Sequence, residues 1–347
     1  MSVGVTTPTL RFTPKALGIP VVLTLVLVVL LILSVGIGSS WIAPGTVIEA
    51  LFGAGERKHQ IIVWTLRLPR ALLSAEAGAC LAVAGALLQV ATRNALASPS
   101  VLGLVDGAAL GVVTFLWVFS NEANALTVSV HYQPLAAILG ALVCAFVVAL
   151  LALKDGISPL RLILYGVTLA ALANALVTIL IVLGPVYRAS TALIWLAGSV
   201  HAAHWQDVGV LALFMVAILP FLAASPRIMT QLALDETLAG ASGLSVRWAQ
   251  AFLLILAVVL TAGSVAQVGG IGFVGLIAPH AARRLVAGRG VRFLLTAALI
   301  GAAMVTGADI IARTALAPLQ MPTGAVTALI GAPYFLYILM KASRHDI

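Results

Sequence analysis

Charged residues are scarce in this sequence: Asp, Glu, Lys and Arg make up 9% of its 347 residues, while hydrophobic residues make up 62%. A soluble domain carries about 25% charged residues, so the composition excludes an ordinary water-soluble protein and indicates a polytopic membrane protein. Cysteine is rare too, because only Cys80 and Cys144 occur, both inside apolar runs. Neither has a partner nearby in the sequence, which favours buried free thiols over a disulfide or a metal site.

Sequence signatures of catalysis are also missing. No Gly-x-x-x-x-Gly-Lys-Ser/Thr motif occurs, so the chain has no phosphate-cradling loop, and any ATP hydrolysis must belong to another subunit. His201 and His204 have helical spacing but lack a third ligand, which favours a membrane-interface role over a metal site. We therefore expect no enzyme activity, no cofactor and no bound metal.

The apolar runs predict an all-α fold with ten transmembrane helices in a single domain over residues 1–347. About 20 apolar residues are needed for one span. The N-terminal run lacks a small-x-small cleavage site, so we interpret it as an uncleaved first helix. The predicted spans are about 18–41, 68–90, 100–119, 134–153, 160–183, 205–224, 247–268, 272–287, 293–314 and 324–342.

The basic residues indicate how these spans are oriented. The net charge is +8, but Lys and Arg are dispersed between the spans, which favours topology markers and lipid contacts over a nucleic-acid surface. With the N-terminus inside, 13 of the 19 Lys and Arg residues fall in cytoplasmic segments. This predicts that both termini are cytoplasmic, together with the long polar segment at about 225–247.

Three acidic residues lie inside or near predicted spans, where charge is costly. Asp309 and Arg313 are spaced i, i+4, so they can pair on one helix face. Glu76 lies two turns into the second span, and Asp106 lies early in the third. For each of these groups, a structural contact between helices and a role in transport remain open.

A glycine-rich break separates two spans at Val268-Gly-Gly-Ile-Gly-Phe-Val-Gly275, and the segment after it ends at Arg283-Arg284. Such glycines permit a tight turn and close helix packing, which we favour here over ligand binding. This break resembles a signature of the FecCD-type permeases, the BtuC-like membrane subunits of type II ABC importers for ferric siderophores, haem and vitamin B12. Other stretches that resemble the family are Arg67-Leu-Pro-Arg70, 78–89, 93–103, Trp195-Leu-Ala-Gly-Ser199, 235–243, 308–313, 321–324 and 331–335.

The resemblance implies partners and roles for particular residues. The expected partners are two ABC ATPase subunits, a periplasmic or extracellular substrate-binding protein and a second permease, identical or homologous, in a bacterial cytoplasmic (inner) membrane. Docking of the binding protein is implied for Arg67, Arg70 and Arg313. Coupling to the ATPase is implied for Asp235, Glu236, Leu238, Gly240 and Gly243. The gate and pathway are implied to include Asn94, Leu96, Ser158, Tyr165, Asn174 and Thr178.

The sequence departs from the family pattern at three positions. Ala95 and Gln320 stand where a proline and a glutamate are usual, and Asp106 replaces a residue that is commonly small. We expect the first change to loosen the gate loop, and the second removes one acid at the outer surface. The third bears on substrate or on helix packing.

The substrate we expect is a ferric siderophore, since a wide apolar cavity suits a large chelate better than a bare ion. Haem or vitamin B12 import by the same machinery is the alternative. A secondary transporter driven by an ion gradient would need buried acids along its path, for which Glu76, Asp106 and Asp309 are the candidates. An enzyme acting on membrane lipid would need a nucleophile or a metal constellation, and the sequence has neither.

Overall fold

Apolar segments in a bilayer become helices because lipid offers no hydrogen-bond partners to the backbone. The computed structural model describes residues 14–38, 41–121, 125–154, 159–184, 186–233, 243–286 and 290–342. In these ranges the regular structure is helical, which confirms the all-α prediction. Its helices are α1 Pro14–Gly36, α2 Pro44–Leu51, α3 Arg57–Ile61, α4 Leu68–Ala91, α5 Leu104–Val118, α6 Gln133–Lys154, α7 Pro159–Leu183, α8 Val186–Leu196, α9 Trp205–Leu232, α10 Val246–Val268, α11 Val274–Leu285, α12 Val291–Thr314 and α13 Thr323–Ala342.

All ten predicted spans correspond to helices, though not all are of full length. Seven helical stretches in the described residues are long and apolar enough to cross a membrane. The other three predicted spans are α5, α11 and α13, of 15, 12 and 20 residues. At 1.5 Å per residue, α5 is about 22 Å long and α11 about 18 Å, so each covers only part of the roughly 30 Å hydrocarbon layer.

The short helices α2, α3 and α8 were not predicted, because they are below the length of a span. A π-helical turn, Ile62–Arg67, joins α3 to α4. This wide turn stands just before Pro69, which has no N–H to offer the carbonyl of Thr65. It directs Arg67 into the molecule, where the side chain is buried.

Glycines allow the central helices to pack backbone against backbone. Gly78 of α4 faces the backbone of Gly301 in α12, and each leaves no room for a Cβ atom. Gly107 of α5 meets Gly140 of α6 in the same way. Such small-residue crossings are the usual means of association between membrane helices, because close contact supplies dispersion energy that lipid cannot replace.

The glycine-rich break ends α10 and starts α11. Gly269 has a φ of 70°. Two hydrogen bonds join the break to the 195–199 segment: Ser199 N–H donates to the Val268 carbonyl at 2.8 Å, and Gly270 N–H donates to the Trp195 carbonyl at 3.4 Å. Gly324 N–H donates to the Gly198 carbonyl at 2.9 Å. The prediction of a tight, closely packed turn is confirmed, and three distant segments meet there.

Helix directions define two ends of the bundle. The end of α1, the start of α4, the end of α12 and the start of α13 meet where Arg67, Arg70 and Arg313 lie, and we call this the arginine end. Because α1 runs toward it and α13 runs away from it, the described chain starts and finishes at the opposite end. The end of α9 and the start of α10 lie at that opposite end as well.

Candidate functional site

The arginine end gathers three arginines from separate helix ends. Arg67 closes the π-helical turn, Arg70 lies in the first turn of α4, and Arg313 lies in the last turn of α12. Each is buried, with 6%, 7% and 6% of its surface exposed. Buried guanidinium groups need hydrogen-bond acceptors, and the neighbouring helix ends provide them.

Asp309 of α12 is the acid at the centre of this cluster. Its carboxylate is fully buried and accepts from Arg70 Nε at 3.0 Å and from Arg70 Nη2 at 2.8 Å. Arg313 Nε lies 3.7 Å from the other carboxylate oxygen, so the predicted i, i+4 pair is confirmed. Arg70 and Arg313 thus share one carboxylate, which leaves a local excess of positive charge.

The end of α1 supplies neutral acceptors to the two other arginines. Arg67 Nη1 donates to the carbonyls of Val35 and Gly36 at 2.9 and 2.7 Å. Arg313 Nη2 donates to the carbonyl and hydroxyl oxygens of Ser34 at 2.6 and 2.7 Å. Carbonyls at a helix C-terminus lack intrahelical partners and carry partial negative charge, so cations there are stabilised.

Two partners of Arg70 were not predicted. Its Nη1 donates to Gln320 Oε1 at 2.9 Å and to His201 Nδ1 at 3.1 Å. The family resemblance implies a glutamate at position 320, so this chain places a neutral acceptor where an acid would neutralise Arg70. His201, interpreted from the sequence as a membrane-interface residue, instead contacts the arginine cluster.

The structure thus shows where the three residues predicted for docking, Arg67, Arg70 and Arg313, lie. These guanidinium groups are buried, and Gln320 and His201, which bond to Arg70, are the exposed residues beside them. Whether the three arginines dock a partner stays a prediction.

The gate residues lie in the irregular segment between α4 and α5. Asn94 Oδ1 accepts from the Leu96 amide at 2.8 Å, which stabilises a tight turn. Leu96 is 44% exposed, and the adjacent Arg93 has a φ of 49°. Ser158 falls outside the described residues, so the grouping of these three residues as a gate stays a prediction.

The pathway residues are all on α7, and the structure separates them. Asn174 and Thr178 are exposed on one flank of the helix, whereas Tyr165 is half-buried and packs against the main core. Asn174 Nδ2 donates to Asp106 Oδ1 of α5 at 2.7 Å. The sequence left open whether Asp106 makes a contact between helices or has a role in transport. The structure shows the contact, because Asp106 joins α5 to α7.

The predicted coupling residues are mostly outside the described part of the chain. Asp235, Glu236, Leu238 and Gly240 lie in the undescribed range 234–242. Gly243 is described, with a φ of 81° and open space where a Cβ atom would stand. Within the described residues, no three His, Cys, Asp or Glu side chains are placed to hold a metal ion.

A multi-pass helical bundle with apolar helices and a buried cationic cluster at one end defines a polytopic membrane protein. The comparisons identify its family: the chain belongs to the FecCD transport family, whose model matches residues 26–341. Members are permease subunits of ABC importers that work with ATPase and substrate-binding proteins, and are not themselves catalytic. The chain is therefore such a permease, and a multi-pass protein of the inner membrane.

Relatives with assigned roles align over most of the chain. A protein described as a siderophore transport system permease, YfhA of Bacillus subtilis, is 43% identical, covering 90% of this chain and 91% of its own. The achromobactin transport permease CbrC of Dickeya dadantii is 40% identical over 92% and 90% of the two chains. A solved transporter described as of the metal-chelate ABC type, in an inward-facing conformation, has a TM-score of 0.78 at 30% identity and covers 94% of this chain and 99% of its own.

Proposed function

We propose that the chain is one of two permease subunits in an ATP-driven importer that moves a ferric siderophore across the cytoplasmic membrane. The observation that carries this proposal is the arginine cluster, in which Arg70 and Arg313 share the one carboxylate of Asp309. Such an excess of buried positive charge at one end of a membrane bundle is suited to receiving an acidic group. The family relationship supplies the transport class.

The arginine end would dock the substrate-binding protein from the periplasmic or extracellular side. Arginine forks bind carboxylates bidentately and stay charged, so a glutamate of the partner can replace Gln320 as an acceptor for Arg70. This exchange gains a charge–charge interaction where the resting contact is charge–dipole. Arg67 and Arg313 bond to the end of α1 and thereby hold that helix against the arginine cluster.

The opposite end would bind two ATPase subunits. The start of α1, the end of α9, the start of α10 and the end of α13 lie at this end. The Lys and Arg distribution predicts that the same end is cytoplasmic. Residues 235–243 are proposed to enter a groove of the ATPase. In a dimer of permeases, closure of the ATPase pair would then move the helices beside Asn94, Leu96 and Ser158.

Transport would proceed by alternating access. The path is proposed to run between two permease copies along α7, which keeps much of its surface uncovered within one chain. Only 17% of the residues in its apolar window are buried. Since the partner permease can be identical or homologous, the path has either two equal walls or two related ones.

A ferric siderophore is favoured because YfhA, 43% identical, is described as a siderophore transport permease, and the iron(3+)-hydroxamate import permease FhuG of Bacillus subtilis is 38% identical. Cobalamin is the alternative, since the cobalamin import permease BtuC of Halobacterium salinarum is 43% identical over 83% of this chain and 75% of its own. Haem would be handled by the same machinery.

Reconstitution tests the proposal. The permease is placed in liposomes with or without the ATPase and the binding protein, and uptake of iron-loaded siderophore is followed with radioactive iron. We expect uptake that requires ATP and both partners, and competition by excess cobalamin or haem distinguishes the substrates. Uptake by the permease alone under a proton gradient would contradict the proposal and indicate a secondary transporter.

A further inference from the structure

Asp106 and Asn174 form a polar contact that the fold places deep within the membrane layer. Asn174 is the sixteenth residue of α7, so it lies about 22 Å from the start of that helix and about 14 Å from its end. Asp106 lies in the first turn of α5, yet this turn is also deep. Its preceding residue Gly103 packs on Gly166 and Ala170 of α7, about 10 Å or more from the start of α7.

This contact is open rather than enclosed. Asn174 is exposed and Asp106 is half-buried, and Asn174 Nδ2 donates to Asp106 Oδ1 at 2.7 Å. An acid at membrane depth is rarely left facing lipid, because charge in hydrocarbon is strongly unfavourable, and it faces protein or a water-filled path instead. Asn174 is the side chain that donates to this carboxylate, and Asp106 remains only half-buried.

The two flanks of α7 differ in a way that indicates where the carboxylate faces. Leu169, Leu172 and Leu176 line an apolar groove against α5 and α6. Asn174 and Thr178 lie on the flank away from that groove, and Thr178 Oγ1 already donates to the Asn174 carbonyl at 2.8 Å. This flank therefore presents two exposed polar side chains, Asn174 and Thr178, as expected for the wall of an aqueous path.

We propose that Asp106 and Asn174 form a selectivity site on the wall of the permeation path, which favours chelates with a cationic or hydrogen-bond-donating group and disfavours anionic chelates. The carboxylate and the amide oxygen both accept hydrogen bonds, while the negative charge repels an acid of the substrate. This inference rests on the proposed import function and adds to it the chemical class of substrate. The site selects by charge and does no chemistry.

The test uses three ferric chelates that share one iron centre. A linear trihydroxamate is supplied with its terminal amine free, acetylated or succinylated, so that the chelate is positive, neutral or negative at nearly constant size. Uptake is measured in liposomes that contain the whole importer. The preference for the cationic over the anionic chelate is compared between variants, so that the selectivity of the unchanged binding protein cancels.

In Asp106→Asn we expect this preference to fall about a hundredfold, because the two chelates differ by two elementary charges and each contributes about tenfold at roughly 12 Å with an effective dielectric constant of about 20. Asp106→Glu keeps the charge and should keep the preference. Glu76→Gln is the matched control, since it removes one carboxylate from α4, which packs mainly on other helices. Thr178→Asp adds a charge one helical turn from Asn174 on the same flank, out of direct contact with Asp106, and should increase the preference, which keeps the test decisive if Asp106→Asn does not assemble.

An unchanged preference in Asp106→Asn and Thr178→Asp, with uptake intact, would overturn the inference. An equal change in Glu76→Gln would also overturn it, because the effect would then be the net charge of the membrane domain. Absence of ATP-dependent uptake for all three chelates in the parent protein would instead count against the proposed function.

Discussion

Helices α4 and α7 are both apolar and of similar length, but they occupy opposite environments within the chain. In the apolar 18-residue window of Arg57–Ala91, the stretch that contains α4, 78% of the residues are buried. In the corresponding window of α7 the buried share is 17%. The polar groups at the start of α4 are tied to other helices, as in Arg70 with Asp309, whereas α7 exposes Asn174 and Thr178. The helix α4 is thus packed and satisfied within this chain, whereas the exposed groups of α7 require either a second protein surface or water.

The strongest test of this difference removes the acid that ties α4 to α12. Asp309→Ala leaves Arg70 and Arg313 buried without a carboxylate, and breaking a buried pair in this way costs about 3–5 kcal/mol. We expect a large fall in the thermal unfolding temperature of the detergent-purified permease. Glu56→Ala is the control, because its contact with His59 is 3.6 Å long and the glutamate side chain is 75% exposed. Equal effects of the two changes would show that the cluster is not a structural tie.

A second test adds bulk to one helix of each kind. Gly78→Val inserts a side chain against the Gly301 backbone, where there is no space, and overpacking of this kind costs about 1–3 kcal/mol. Ala171→Val makes a comparable change at an exposed position of α7. We expect the first to lower the unfolding temperature and the second to leave it nearly unchanged. A larger loss at Ala171 would mean that α7 is packed within its own chain.

A smaller effect is expected at Gln320, which borders the arginine cluster. Gln320→Glu restores an acid beside Arg70, so it should compete with a docking carboxylate. Titration of the substrate-binding protein should show affinity weakened by about tenfold, more at low salt than at high salt, since exposed charges are screened. Gln206→Glu adds the same charge in the exposed first turn of α9 and should have little effect. Unchanged affinity for Gln320→Glu would contradict a docking role for Arg70.

Much of this fold is predictable from local sequence because each span must satisfy its own backbone. The ten spans, the turn at Gly269 and the Asp309–Arg313 pair follow from apolar length, glycine spacing and the helical repeat. The short helices α2, α3 and α8 do not, since they are below the length that lipid imposes. Their apolar residues pack on neighbours that only the tertiary structure reveals.

The long-range contacts at the two polar sites were beyond the sequence patterns. Arg70 and Asp309 are 239 residues apart, and Asp106 and Asn174 are 68 apart. One signal for the first pair was present, since the predicted topology already put the start of α4 and the end of α12 at the same side. No comparable signal linked Asp106 to Asn174, because α5 begins inside the layer and its depth depends on the irregular segment before it.

The central claim is that one flank of α7 faces water and the other faces lipid or protein. Single cysteines at Ala171, Thr178, Leu172 and Leu176 are exposed to a charged, water-soluble thiol reagent in membranes that contain the whole importer. The native Cys80 and Cys144 are only 1% and 7% exposed, and thiols react as thiolates, which require water. We predict labelling at 171 and 178 and little at 172 and 176, whereas equal labelling on both flanks would contradict the claim.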